Sequence, residues 1–287
     1  MKRILSLFLC AVLLCFCAGG VLAESGESDV IIEEIIVDSP SKDEIVTEKD
    51  GWHFNAKGFL VGDNPGEEYL LEDEKNGVWQ YATADLSITI TRYQETVKVK
   101  AGKRIREHYI ADIQASETSP LFTITTPPTK TRPAGYTKKN PAELVKKNPV
   151  VLAISDDYYG HRMQSRDKGT AKWPDGIIIR NGEINEKGVD SSKSYMYNTA
   201  QYSDSRIAIG MIEPYHYLVL MARGRPDTKY IGMNFDLVAH RMLELGCTEA
   251  LNLDGGGTAC MVFNGKVLVQ GDKSARPLGS MIAFGAK

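Results

Sequence analysis

The chain has 287 residues, 43% apolar and 25% charged, with a formal net charge of −3, the balance of an ordinary soluble globular protein. Of its five cysteines, Cys10, Cys15 and Cys17 sit in the first 23 residues. Only Cys247 and Cys260 remain, which excludes a disulfide scaffold and leaves either one pair or two buried free thiols.

Residues 1–23 begin with Lys2 and Arg3, continue through an apolar stretch and end Val21-Leu22-Ala23. This is the layout of a secretory signal cleaved after Ala23. Ile4 to Ala23 is also long enough to span a bilayer as an uncleaved anchor. Either reading puts the remainder outside the cytoplasm, secreted or extracytoplasmic, with membrane contact only through this segment. Residues 24–50 carry ten acidic residues against Lys42 and Lys49, and read as an acidic disordered stalk. Residues 51–287 then hold 30 basic and 27 acidic residues. That weakly basic domain tolerates an anionic substrate without demanding one, and its length supplies one sizeable core.

Residues 52–82 read as irregular or as short strands. From Trp79 the alternation of Leu86, Ile88 and Ile90 predicts a half-buried strand, and TVKVK and REHYIADIQA predict two more. PLFTITTPPTKTRPAGYTKK supplies a strand and a proline-rich loop. Asn140-Pro141 opens a short helix ending at Asn148. VVLAIS (150–155) reads as a central buried strand that delivers Asp156-Asp157 at its end. GIIIRNGEI is a hairpin about Asn181-Gly182, and RIAIGMI and HYLVLMA are further strands. Phe235, Val238, Ala239, Met242 and Leu245 fall at helical spacing, with Asn234 as cap and Gly246 as stop. The strand EALNL, the loop DGGG, the strand TACMVF, the turn Asn264-Gly265, the strand KVLVQ and the element ARPLGSMIAFGA complete the chain. Many strands and few helices, not in strict alternation, predict an α+β fold: a single domain on a mixed, largely antiparallel β-sheet with a few packed helices.

For chemistry, the chain lacks a Gly-x-Ser-x-Gly elbow, an HExxH motif and a Walker loop. Its five histidines are scattered without metal-ligand spacing, so neither a metal nor a cofactor is expected. The loops at strand ends are then the candidates. Asp254-Gly255-Gly256-Gly257-Thr258 stands out, because each glycine costs about 0.5–1 kcal/mol relative to alanine in an ordered element. Three in a row make sense if side chains would block a ligand, or if successive N–H groups must face an anion. Asp156-Asp157 ends the other very apolar strand, so two acids could face one cleft, as glycosidic chemistry requires. Arg206 begins the strand RIAIG, Arg223 and Arg225 flank Gly224 at the end of HYLVLMA, and Arg276 precedes Pro277. At such strand mouths a guanidinium can fork onto phosphate or carboxylate. HRMQSRDKGTAK has little aromatic interleaving, and no nucleic-acid partner is expected.

The order of these motifs resembles the phosphodiester glycosidase family, over roughly residues 79–287 and most specifically from about 150. NLDGGGT carries most of the resemblance. AISDDYYG looks like the family's Ala-Ile-Asn-Gly-Asp-Tyr-Tyr-Gly, with Asp157 on the acidic position and Ser155 and Asp156 replacing asparagine and glycine. SRIAIG keeps Arg206. ARGR keeps Gly224 and Arg225 but has Arg223 where the family has an acid. ARPLGSMIAF keeps Arg276 and carries Ser280 for asparagine. The resemblance implies a glycoside hydrolase acting on a sugar-1-phosphodiester linkage, N-acetylglucosamine-1-phosphodiester-like, in a cell-surface or exopolysaccharide glycan. It assigns Asp157 and Asp254 as the catalytic acids. Arg206, Arg225, Asn252, Gly255, Gly256, Gly257, Thr258 and Arg276 are then expected to bind the glycan or sugar-phosphate substrate. The alternative is a non-catalytic binding protein for anionic surface glycans, motivated by the positive charge of Arg223.

Overall fold

A computed structural model describes residues 44–62, 66–119, 121–126, 128–129, 132–136, 138–156, 177–184, 202–224, 229–271 and 276–286. The first strand, β1 (Thr47–Lys49), pairs with β2 (Trp52–Phe54) through a turn in which Asp50 and Gly51 take positive φ. Residues 44–50, grouped with the acidic stalk from composition, therefore carry a strand. β3 (Tyr69–Asp73) and β4 (Val78–Ala82) follow. The expected long strand from Trp79 is broken at Thr83–Asp85. There the Thr83 hydroxyl accepts from Leu86 N at 3.1 Å and starts β5. β5 (Leu86–Val99) absorbs TVKVK and pairs along its whole length with β6 (Gly102–Ala115).

Beyond β7 (Phe122–Thr125), the proline-rich stretch forms a small hairpin of β8 (Pro128–Thr129) and β9 (Arg132–Tyr136) rather than a loop. Helix α1 (Pro141–Lys147) starts as expected: the Asn140 side chain accepts from Ala142 N at 3.0 Å, and Pro141 fills a position that needs no N–H. Next come β10 (Val150–Ser155), β11 (Ile177–Arg180) and β12 (Glu183–Ile184), the last two joined through Asn181-Gly182, both at positive φ. That is the geometry of a tight hairpin turn. β13 (Arg206–Glu213) and β14 (His216–Arg223) lead to helix α2 (Phe235–Glu244), whose cap Asn234 accepts from Leu237 N at 2.9 Å. β15 (Glu249–Asn252), a single 3-10 turn (Gly256–Thr258), β16 (Cys260–Phe263), β17 (Lys266–Gln270) and β18 (Ser280–Ala286) complete the order.

The strands form two main sheets where one was expected. Nine strands run β12-β11-β15-β13-β14-β6-β5-β4-β3, and five run β17-β16-β10-β18-β7. Every pairing within them is antiparallel, and among the described residues a parallel contact appears only as the isolated bridge Ile105–Tyr230. The fold is α+β and dominated by its sheets, because both faces of each sheet are apolar over their centres. In β10, Leu152 and Ile154 face the other sheet, while Ala153 faces α1 with Val145 and Leu144. In β14, Val219 and Met221 face the five-stranded sheet, while Leu218 and Leu220 face Val238 and Met242 of α2. The order of layers is α2, nine strands, five strands, α1. Burying a large apolar side chain contributes about 1.5–3 kcal/mol, and Ile88, Ile90, Leu152, Ile154 and Phe284 between the sheets are all fully enclosed.

The two cysteines are buried free thiols on opposite sides of this stack, Cys247 against α2 and Cys260 against α1. Burial pushes each thiol up to about 12.

Candidate active site

β15 and β10 belong to different sheets, yet they end side by side. The backbone N–H of Asp254, two residues past β15, donates to the carbonyl of Asp156, one residue past β10, at 3.1 Å. A seam between the two sheets is thereby closed at the end where both apolar strands release an acid. The Asp156 carboxylate accepts a short hydrogen bond from the hydroxyl of Ser280 at the start of β18. Beside it, the buried Ser155 hydroxyl accepts from Cys260 N at 3.1 Å. Three positions that depart from the family pattern, 155, 156 and 280, thus lie together on two adjacent strand ends, those of β10 and β18. Asp157, the expected partner of Asp254, and Arg225 lie outside the described residues.

Asp254 is half-buried and is oriented by Thr258, whose Oγ1 lies 2.6 Å from Asp254 Oδ2 and 2.6 Å from Gly255 O. One hydroxyl proton serves these two acceptors in turn. The glycines between them have separate reasons to be glycine. A side chain at Gly255 would place its Cβ 2.7 Å from the Ser205 carbonyl oxygen. Gly256 has φ +64, the left-handed region that glycine enters at no steric cost. A Cβ on Gly257 would overlap the guanidinium of Arg276, which lies across it. The amides of Gly256 and Thr258 are engaged within the protein, with Ser205 O at 2.8 Å and Gly255 O at 3.4 Å. Close packing accounts for Gly255, backbone conformation for Gly256, and the neighbouring Arg276 guanidinium for Gly257.

The loop rests on Ser205, a residue with no sequence signal. Its side chain is fully buried. Its Oγ accepts from Gly224 N at 2.9 Å and lies 2.7 Å from Gly224 O and 2.8 Å from Gly271 O. With its own carbonyl on Gly256, Ser205 ties the start of β13 to the ends of β14 and β17 and to the glycine loop. Arg206 beside it is almost wholly buried. Nε donates to Met233 O at 3.3 Å, Nη2 donates to Tyr202 O at 3.0 Å, and the guanidinium lies 4.4 Å from the centre of the Phe235 ring. Its observed contacts hold protein segments together beneath Gly255. Asn252 is also buried. Its amide donates to Leu253 O at 2.7 Å, and its Oδ1 is buried with no partner.

Sequence reasoning also missed Glu107. This carboxylate is buried at the end of the sheet where β14 closes, and it is in register with Arg223. It accepts a short bond from the Gln94 amide and is 3.3 Å from Arg223 Nη1. The Arg223 guanidinium also stacks 4.2 Å from the centre of the Tyr230 ring. The extra cation noted at position 223 is therefore met by a buried anion on the neighbouring strand. A pairing across strands distant in sequence leaves no mark in local spacing. Among the described residues no group of three His, Cys, Asp or Glu is placed to hold a metal ion.

Set against known proteins, the chain matches the phosphodiester glycosidase family over residues 124–285, the stretch from β7 through almost all of β18. No curated protein matches it by sequence. Among solved structures it is similar to the catalytic domain of zebrafish N-acetylglucosamine-1-phosphodiester alpha-N-acetylglucosaminidase, auto-inhibited by its pro-peptide. The identity there is 13%, covering 70% of this chain and 84% of that one, with a TM-score of 0.52. It is also similar to a hypothetical protein from Synechocystis, at 10% identity over 71% of this chain and 63% of that one, with a TM-score of 0.49. The family segment contains Asp254, the glycine run, Ser205 and Arg276 together. The chain belongs to the phosphodiester glycosidase family, a family of hydrolases that act on glycosidic phosphodiester linkages.

Proposed function

We propose that the seam between β10 and β15 is the catalytic centre of an extracytoplasmic glycosidase that releases a sugar from a sugar-1-phosphodiester in a cell-surface or exopolysaccharide glycan. One observation carries the reading: the Asp254–Asp156 backbone bond brings the acid after β15 beside the acid-bearing end of β10. Two carboxylates across one cleft are what glycosidic bond cleavage needs, one to protonate or stabilise the leaving oxygen and one to assist at the anomeric carbon. Asp254, fixed by Thr258, is one of them. Asp157, the next residue after the tethered Asp156, is the other. Arg276 and Arg225 hold the phosphate. Arg206 and Ser205 act as positioning residues that keep the loop beneath Asp254 rigid. Phosphate is a good leaving group, so charge stabilisation by arginine supplies much of the barrier reduction. The sugar class is the one in the name of the zebrafish relative, N-acetylglucosamine linked through C1 to phosphate.

The test is hydrolysis of a synthetic N-acetylglucosamine-1-phosphodiester in oxygen-18 water. Free sugar is expected, with the label in the sugar and not in the phosphate. Asp254→Asn and Asp157→Asn are each expected to lose about 10²–10⁴-fold in kcat, the usual worth of a general acid or base. Label in the phosphate, or full turnover by Asp254→Asn, overturns the assignment. The alternative of a binding protein drew on the charge of Arg223, and Glu107 offsets that charge. Among the described residues no contact in the site favours it.

A further inference from the structure

At the far edge of the nine-stranded sheet, outside the segment shared with the family, the β1–β2 hairpin arches over the outer face of β3, β4 and β5. Beneath it lies a cavity of about 260 Å³. Its rim is held by Asn55, whose Oδ1 accepts from Lys57 N at 2.9 Å and Phe59 N at 3.0 Å. Five strand positions separate β4 from β15. At about 4.8 Å per strand that is about 24 Å, so the cavity is no part of the seam at Asp254.

Its lining is amphipathic. Gln80 and Thr89, paired in register on adjacent strands, line it with an amide and a hydroxyl joined by a long hydrogen bond from Gln80 Nε2 to Thr89 Oγ1 at 3.4 Å, and Tyr69 and Phe54 supply aromatic wall. Among the described residues lining it, Lys49 alone is charged. Its ammonium donates to Gln80 Oε1 at 2.7 Å and lies 5.5 Å from the centre of the Tyr69 ring. No carboxylate among the described residues forms an ion pair with it. The Tyr69 side chain is more than nine-tenths buried, and its hydroxyl has no hydrogen-bond partner. Among the described residues Asp73 is near enough to feel this charge but makes no ion pair with it, so an ammonium held by a neutral amide beside an aromatic wall can still take an anion as its direct partner.

We propose that this cavity binds one acidic sugar residue, a pyranose bearing a carboxylate. The carboxylate meets Lys49, the ring hydroxyls meet Gln80 and Thr89, and the C–H face lies against Tyr69. The volume sits just below the range of about 300–1,000 Å³ for drug-sized ligands, which suits a single monosaccharide. The inference takes from the proposed function only the ligand class, a glycan. A site here would hold an acidic polymer at a distance from the bond being cut.

The test is calorimetric titration of the purified protein with D-glucuronate and with D-glucose. Trp52, whose ring centre is 5.9 Å from that of Tyr69, serves as a fluorescent reporter. Saturable glucuronate binding is expected, at least about ten-fold tighter than glucose, a gap of about 1.4 kcal/mol. Lys49→Met and Gln80→Ala, each checked for an unchanged melting temperature, are expected to remove that preference. Turnover of the small synthetic phosphodiester by both variants should stay at the wild-type level. Absence of saturable glucuronate binding up to about 10 mM, equal binding of glucose, or undiminished binding in both variants overturns the inference. Binding and turnover are read separately. A cavity that stays empty in an active enzyme refutes only this site, and a filled cavity in an inactive protein refutes only the catalytic assignment.

Discussion

The glycine run makes a prediction that separates its members. Gly255→Ala adds a Cβ 2.7 Å from the Ser205 carbonyl oxygen, well inside contact distance. That oxygen cannot step aside, because it belongs to the backbone and accepts the Gly256 N–H at 2.8 Å. Either the loop or the start of β13 must shift. Overpacking of this kind costs about 1–3 kcal/mol. For a domain of this size each kcal/mol lowers the melting temperature by roughly 2–4 °C, so a fall of roughly 2–12 °C is expected. Gly257→Ala meets only the end of the exposed Arg276 side chain, which can rotate away. It should melt within about 2 °C of wild type, well under the overpacking range, while weakening phosphodiester turnover through the displaced guanidinium. Thermal unfolding followed by circular dichroism, paired with the hydrolysis assay, reads both effects. A stable Gly255→Ala beside a strongly destabilised Gly257→Ala would refute the packing argument.

Three further outcomes follow from buried polar groups. Ser205→Ala leaves the Gly224 N–H without its acceptor in the interior and should lose about 1–3 kcal/mol in urea unfolding. His108 has both ring nitrogens buried and unpartnered and stacks on Tyr93 at 5.1 Å. Desolvation, reinforced by Arg241, lowers its pKa to about 4 from an ordinary 6.5. The unfolded chain therefore binds a proton that the folded one refuses. Stability is full above pH 6.5 and falls between pH 6.5 and 4, by up to about 3 kcal/mol, and His108→Phe should remove that part of the pH dependence. Cys247 and Cys260, both buried with thiols raised to about 12, should resist alkylation at pH 8 in native protein and react on denaturation, as read by mass spectrometry.

Continuous apolar runs located β10, β13 and β14, which are packed on both faces, and helical spacing located α2, whose apolar residues share one face. Caps and turns were equally legible: Asn140, Asn234, Asn181-Gly182 and Asn264-Gly265 act through local backbone chemistry. The division into two sheets was not legible. It depends on which strands pair, and β10 lies between β16 and β18, both far along the chain. In the site, Asp254 and its glycines announced themselves by composition, but the reason for the glycines did not. Ser205 and Glu107 act through partners on distant strands, and each looks alone like any serine or glutamate. Arg206 was legible by its place at a strand mouth, but the two carbonyls and the ring that its buried guanidinium meets were not, because they come from Met233, Tyr202 and Phe235.

The seam at Asp254 also bears on how the chain matures. Its two sides come from strands far apart in sequence and from different sheets, so neither side can guide the other during early collapse. The loop-closure entropy for such a contact is overcome only when the interface between the sheets condenses. The cleft should therefore appear at the last cooperative step of folding, with no partly folded species that already carries it. Amide exchange at Asp254 and Gly256 would then proceed only through opening of the whole sandwich.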